Sequence, residues 1–223
     1  MTAPIHDASY APTERTQVRR LKKRGAYDKA TVHAILDAGL ICHMGFVVDA
    51  QPFVVPTLYV RDGEMIYFHG SGASRMLRTL AEGVDICLTV SLADGLVLAR
   101  SAFHHSLNYR SVVVVGKAKL ITDRNKMLHA LQCITDHVVP DRWQEVRTPN
   151  ELELKQTHVL ALPLNEVSAK IRSGGPVDDE EDYALPVWAG VVPLEMCVGK
   201  PLPDPRLSSE IAPFDLARFK SRG

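Results

Sequence analysis

Apolar and β-branched residues occur along most of the chain in short runs that turn residues interrupt. Runs of this kind are typical of the strands of an antiparallel sheet. They predict strands over residues 40–48, 53–60, 65–69, 84–91, 96–103, 111–121, 157–163 and 166–171. Asp62-Gly63 favours a tight hairpin turn, the Ala-Asp-Gly at 93–95 predicts another turn, and Gly116 suggests a bulge or a corner.

Helical spacing of apolar residues is confined to a few segments. Asp28 is a good N-cap for a helix over 28–38. A second helix begins near Ser74 and is ended by Gly83, and a third begins at Asp123 and extends to about residue 137. Strands in meander order with so few helices predict a mainly β fold, an antiparallel β-barrel with peripheral helices.

Charge narrows the classes of partner. The 26 Lys and Arg residues balance the 26 Asp and Glu residues, so the chain lacks the general positive field that binding to nucleic acid or to an acidic membrane requires. The sequence has no run long enough to span a membrane and no secretory signal, which predicts a cytoplasmic location. A basic block at 19–24 and an acidic block at 178–182 can pair with each other, within or between subunits.

The four cysteines are widely scattered. They are Cys42, Cys87, Cys133 and Cys197, with no CxxC or CxH pair among them. This spacing argues against a zinc site or a disulfide framework, and no metal is expected. The first three lie in apolar sequence, which predicts buried, reduced thiols that act as small hydrophobes.

Residues 69–75, HGSGASR, place glycines, hydroxyls and an arginine between a strand end and a helix start. Backbone N–H groups, a hydroxyl and a guanidinium at such a point are the parts of a phosphate site. The alternative is an ordinary flexible turn with a helix cap. No GxGxxG, P-loop, GxSxG or HExxH motif is present, which argues against dinucleotide, serine-hydrolase and zinc-protease chemistry.

A second polar stretch, 103–111, lies between two apolar strands. Its adjacent histidines, His104 and His105, point in opposite directions in a strand and make a poor metal pair. The stretch predicts the wall of a binding site, with a purely structural loop as the alternative. Trp188, flanked by Pro and Gly, is either a core residue or a flat lid over a planar ring.

Four blocks in one order resemble a known family. They are VPTLYV at 55–60, YFHGSGASRM at 67–76, LARSAFHHSLNYRSVV at 98–113 and DDEEDYALPVWAG at 178–190. Together they resemble the flavin-nucleotide-binding branch of the pyridoxamine 5′-phosphate oxidase-like proteins, which includes the nitroimidazole-resistance proteins. The resemblance implies a split antiparallel β-barrel domain over 25–194, with an N-terminal extension over 1–24 and a Pro-rich tail over 195–223. It also implies FMN bound at the interface of a homodimer.

The resemblance further implies which residues hold the flavin. The matching positions are Val54, Val55, Pro56, Thr57, His69, Gly70, Ser74, Arg75, Arg110, Ser111 and Trp188. The first four lie along the isoalloxazine ring, the next four hold the ribityl phosphate, and the last three approach the flavin from another strand and from the late segment.

The leading functional hypothesis is therefore an FMN-dependent oxidoreductase that acts on a small planar substrate through the flavin. His69, His104 and Tyr109 are the candidate proton donors. The acidic block stands where oxidases of pyridoxamine phosphate carry a basic pair, so vitamin B6 oxidation is disfavoured. Two alternatives stay open, a non-catalytic flavin-binding or storage protein and a haem-handling protein that uses His104 or His105.

Overall fold

A computed structural model describes residues 8–219 of the protein and contains eleven strands and four α-helices in that range. The strands are β1 (Gly25–Ala26), β2 (Ile41–Val48), β3 (Gln51–Leu58), β4 (Val60–Asp62), β5 (Met65–Ser71), β6 (Asp85–Leu98), β7 (Ser106–Lys117), β8 (Lys119–Leu120), β9 (Thr157–Pro163), β10 (Glu166–Arg172) and β11 (Gly190–Pro193). The helices are α1 (Lys29–Ala38), α2 (Arg75–Ala81), α3 (Arg124–Val138) and α4 (Glu151–Gln156).

The strands form two antiparallel sheets. The larger sheet has the order β1-β10-β7-β6-β2-β3, with β11 pairing β6, and the smaller has the order β4-β5-β9-β8. The predicted mainly β fold, an antiparallel barrel with peripheral helices, is confirmed. No helix within residues 8–219 is long and apolar enough to cross a membrane.

The main core lies between the two sheets. Alternate residues of each strand point into it, among them Met44, Leu88, Val114, Phe68 and Leu160, all fully buried. A second, smaller apolar cluster joins α3 and α4 to the outer side of the smaller sheet through Ala130, Leu131, Leu154 and Val159. Helices α3 and α4 therefore cover the outer side of the smaller sheet, and α1 and α2 add their buried residues to the main core. Much of the outer face of β2 and β3 is left exposed.

The end of α1 is held to the core by one buried hydroxyl. Tyr59 is fully buried, and its hydroxyl donates a hydrogen bond of 2.6 Å to the carbonyl oxygen of Leu36. A Cβ at Gly39 would lie 2.6 Å from this same hydroxyl, so the chain leaves the helix in close contact with the tyrosine. This bond satisfies one of the carbonyls that a helix C-terminus leaves unpaired.

The structure corrects two predicted strands. The Ala-Asp-Gly segment at 93–95 is not a turn between two strands but an irregular register within the continuous strand β6. The polar stretch after residue 105 is the first half of β7 rather than a loop. Gly116 pairs regularly with Ile86, so it is neither a bulge nor a corner. Its lack of a side chain makes room for Leu162, since a Cβ at Gly116 would lie 3.1 Å from the Leu162 side chain.

The cysteine prediction is partly wrong. Cys42 is buried, and burial raises the pKa of its thiol to about 12. Cys87 is exposed because strand alternation turns it to the outer face of β6, and Cys133 is half-buried. Apolar neighbours in sequence do not bury a strand residue when they occupy the opposite face.

The segments at both ends of the described range contact the rest of the fold. Tyr10 belongs to the main core, and the Arg15 guanidinium bonds to Glu166 and Asp85. After β11 the chain runs in irregular conformation, and Arg218 returns to pair with Glu145.

We expect Tyr59→Phe to lower the free energy of unfolding by about 1–3 kcal/mol, because the Leu36 carbonyl would be left buried without a donor. Chemical denaturation of the two proteins measures the difference. Tyr183→Phe is the matched control, since the Tyr183 ring is 49% exposed. Equal stability of Tyr59→Phe and the parent protein would contradict this role of the hydroxyl.

Candidate functional site

The predicted phosphate loop connects β5 to α2. Ser74 caps α2, its Oγ accepting a hydrogen bond of 3.4 Å from the backbone N–H of Leu77. Gly70 lies under the same leucine, which a Cβ there would meet at 3.0 Å. A Cβ at Gly72 would lie 3.2 Å from the His158 ring. Glycine at these two positions lets the loop lie close to the sheet.

Arg75 is the exposed cation of this loop. Its guanidinium carbon lies 4.3 Å from the centroid of the Phe53 ring, which in turn stacks on Phe46 at 5.5 Å. No carboxylate among residues 8–219 pairs with Arg75, and its charge is available to an anion. The aromatic contact also joins the loop to β3.

The β3 residues predicted to line the flavin divide between two faces. Val54 and Pro56 point outward, and Val54 is 68% exposed. Val55 and Thr57 are half-buried on the inner face, where Thr57 pairs with Cys42. The structure thus brings β3 and the phosphate loop together, with Phe53 as a contact residue that the sequence analysis missed.

His69 has a different environment from its neighbour Gly70. His69 pairs with Val159, and both side chains point to the face of the smaller sheet that α3 covers. Gly70 faces the other way, because successive residues of a strand point to opposite faces. The Nδ1 of His69 is buried and has no hydrogen-bond partner in the part of the chain that the structure describes. Burial lowers the pKa of His69, so the ring is neutral near pH 7.

His158, another residue that the sequence analysis missed, pairs with Gly70. Its Nδ1 is also buried, and no described residue forms a hydrogen bond with it. Nothing in the local sequence marks it, because only the pairing of β5 with β9 brings it under the loop. Two unsatisfied imidazole nitrogens in one strand pair are unusual, since buried polar atoms in proteins are nearly always bonded.

Arg110 and Ser111 lie in a second group on β7. The Arg110 guanidinium donates to both carboxylate oxygens of Asp94 at 2.8–3.2 Å, and these bonds raise its pKa. Ser111 Oγ donates to the Lys170 carbonyl at 3.2 Å. Arg110 is therefore already neutralised, unlike Arg75.

His104 and His105 lie on the turn before β7, and Tyr109 is half-buried within that strand. Nδ1 of His104 lies 2.8 Å from Ser101 Oγ, and Nδ1 of His105 lies 2.9 Å from the Ser101 carbonyl. Trp188 is 64% exposed, which excludes the core alternative. Its ring lies over Gly190, where a Cβ would approach it to 3.0 Å.

The acidic block is anchored at its first residue. The Asp178 carboxylate is fully enclosed and accepts bonds from the backbone N–H and the guanidinium of Arg100 at 2.9 and 3.0 Å. Burial opposes ionisation of Asp178, but the bonds from Arg100 outweigh it and lower the pKa. Among the described residues Asp178 thus pairs with Arg100, not with the basic block at 19–24, and this pair was not predicted.

Most of the residues predicted to hold the cofactor fall into two groups. Group one is β3 with the loop from Gly70 to Arg75, and group two is Arg110 with Ser111 on β7. His69 points to the other face of the smaller sheet, and Trp188 lies near the end of β6, because Gly190 pairs with Leu98. Across the described range no hydrogen bond or ion pair joins one group to the other.

Two antiparallel sheets around a shared core, with helices at the periphery, define a split-barrel protein of the flavin-binding type. The chain belongs to the pyridoxamine 5′-phosphate oxidase family, whose model matches residues 28–171. A search of curated proteins finds no significant match.

Solved structures extend the likeness beyond the matched region. The flavocytochrome Anf3 from Azotobacter vinelandii is 44% identical with a TM-score of 0.87, over 95% of this chain and 98% of that one. The FAD and haem binding protein from Mycobacterium smegmatis is 34% identical with a TM-score of 0.83, over 87% and 95%. The fold is shared with a putative 5-nitroimidazole antibiotic resistance protein from Bacteroides thetaiotaomicron. That protein is 22% identical with a TM-score of 0.56, over 66% of this chain and 86% of that one.

Proposed function

We propose that this protein binds a flavin nucleotide and haem and transfers electrons between them and a small planar substrate. The observation that carries the proposal is the buried imidazole of His69, whose Nδ1 has no hydrogen-bond partner among residues 8–219. Burial also lowers the pKa of this ring, which favours its neutral form. Two solved relatives support it, since one is described as a flavocytochrome and the other as binding FAD and haem. This proposal keeps the flavin-dependent oxidoreductase of the sequence hypothesis and adds haem as a second redox group.

His69 fits a haem ligand better than the other candidates. Iron takes the neutral form of an imidazole, and burial keeps His69 in that form. Neither ring nitrogen of His69 bonds to a described residue, whereas His104 and His105 each have one nitrogen engaged with Ser101. His69 is also held on a strand of the smaller sheet, which fixes its position more firmly than a turn does.

The loop before α2 fits the phosphate of the flavin. Arg75 supplies an unpaired positive charge, and its contact with Phe53 holds the guanidinium beside β3. Both FMN and FAD carry this phosphate, so the loop alone does not choose between them. We propose FAD as the bound form, because the 34% identical relative is described as binding FAD with haem.

The two groups of predicted flavin residues favour a homodimer. The outer face of β2 and β3 exposes Ile41 (53%), Val47 (54%), Val54 (68%) and Leu58 (40%), a patch of a kind that marks interfaces. A second copy of the chain seated on this face would cover the patch. It would also bring group two of one protomer towards group one of its partner and complete the flavin site.

When bound, the flavin accepts or donates a hydride or single electrons and the haem iron exchanges one electron. The chain supplies the charge of Arg75 and the neutral donor of His69. His104 and Tyr109 keep their proposed role as proton donors towards a substrate at the flavin. A storage role without turnover is the alternative.

We expect His69→Ala to lose haem, measured as the Soret absorbance of protein titrated with haemin. His104→Ala and His105→Ala are the control variants and should keep the Soret absorbance. Added imidazole should restore the band in His69→Ala, because the free base can occupy the position of the deleted ring. A full Soret band in His69→Ala, or its loss in His105→Ala alone, would overturn the assignment.

We expect Arg75→Ala to weaken flavin binding by about 1.5–3 kcal/mol, the scale of a hydrogen bond to a charged group. Titration of flavin-free protein gives the affinity, and Arg206→Ala, with its side chain 95% exposed, is the control. Unchanged flavin affinity in Arg75→Ala would show that the flavin phosphate binds at another site.

Chromatography of the flavin released by heating should show FAD, and FMN alone would refute the proposed form.

We expect Val47→Lys combined with Val54→Lys to convert a dimer to a monomer, because two charges would be buried without partners in the interface. Light scattering after gel filtration measures the mass. Leu152→Lys, exposed to 63% on α4, should leave the dimer intact. A monomeric parent protein with its flavin bound would contradict the interface.

A further inference from the structure

Three side chains with metal-binding atoms meet where α3 crosses the end of β4. His129 and Cys133 are four residues apart on α3 and so lie on one face of the helix, and Asp62 ends β4. Their ligand atoms all lie within 4.8 Å of one another. None of the three belongs to the groups assigned to flavin or haem.

The contacts converge on a single atom. His129 Nε2 lies 2.7 Å from Asp62 Oδ2 and 3.6 Å from Cys133 Sγ. In a cysteine nucleophile activated by a His–Asp pair, the thiol and the carboxylate use the two different ring nitrogens. Here both partners meet Nε2, so the arrangement does not suit that relay. It instead gathers an oxygen, a nitrogen and a sulfur around one point.

These separations suit the first shell of zinc. Zn–S, Zn–N and Zn–O bonds of about 2.3, 2.0–2.1 and 2.0–2.2 Å place tetrahedral ligands about 3.4–3.6 Å apart. The sulfur and Nε2 are already at 3.6 Å. The carboxylate oxygen needs to withdraw from Nε2 by about 0.7 Å on the same geometry, within reach of a half-exposed Asp62 side chain.

The surroundings favour a cation at this point. The Tyr67 ring meets the His129 ring edge-on, with centroids 6.3 Å apart, and limits its rotation. Burial raises the pKa of the Cys133 thiol, and the negative charges of Asp62 and Asp136 raise it further. A divalent cation would offset these carboxylates and displace the thiol proton, as metal binding to cysteine does.

We propose that Asp62, His129 and Cys133 bind a divalent transition metal of the zinc class, with a fourth position left to water. The site would fasten α3 to β4 across the smaller sheet. Its donor set of carboxylate, imidazole and thiolate matches zinc rather than magnesium or calcium, which take oxygen ligands.

The test is zinc binding to the full chain with its other cofactors in place. Protein dialysed against zinc is expected to hold one equivalent by elemental analysis, counted separately from iron. Asp62→Asn, His129→Gln and Cys133→Ser should each weaken zinc affinity by about 100-fold or more, since even an outer-shell partner is worth about 10–100-fold. Cys197→Ser, an exposed thiol elsewhere, is the control and should bind as the parent does.

Two further readouts separate the site from a folding defect. Zinc should raise the melting temperature of the parent and of Cys197→Ser but not of Asp62→Asn. The melting temperature of Asp62→Asn without zinc shows whether this variant is folded. Zinc-edge X-ray absorption should show one sulfur neighbour at about 2.3 Å, absent in Cys133→Ser. Failure of the parent to bind zinc, or zinc retained by all three variants, would overturn the proposal whatever the fate of haem and flavin.

Discussion

The alternation of side chains along the strands is the constraint on which the rest of the structure depends. On β6 and β7 the inward residues Leu88 and Val114 pair directly and are fully buried. A slip of one residue would exchange them with outward neighbours and expose the core. This register commits one face of the larger sheet to packing. Function is left to the outer face, the strand ends and the loops.

The same constraint explains how the end of β5 serves two purposes. Gly70 faces α2 and allows the loop to lie close to the sheet, while His69 points to the other face. The proposed phosphate loop and the buried imidazole of His69 are therefore built from adjacent residues that point to opposite faces. Separate faces also keep the charge of Arg75 away from the imidazole, whose neutral state depends on burial alone.

Most strands and helices follow from local sequence, because an apolar face of the correct period is what the core requires. Asp28, Ser74 and Asp123 all cap helices as predicted, each by accepting a backbone N–H. The continuity of β6 was not predicted, because Asp94 and Gly95 resemble a turn between two strands. Asp94 is instead held by Arg110, and Gly95 admits β11, whose Val191 a Cβ would meet at 2.9 Å. Arg110 and β11 are both distant in sequence from the residues that they hold in β6.

The candidate site was predictable only where its chemistry is local. The run from His69 to Arg75 carries its own signal, but His158 enters the site through pairing of β9 with β5. A buried ring nitrogen without a partner costs about 1–3 kcal/mol, and the rest of the described barrel bonds nearly all its buried polar side chains. This cost at His69 and the absence of a described carboxylate beside Arg75, on the other face, are both accounted for if ligands occupy the two positions. The unmet bonding capacity of these two side chains is therefore the structural observation on which the proposal of two cofactors rests.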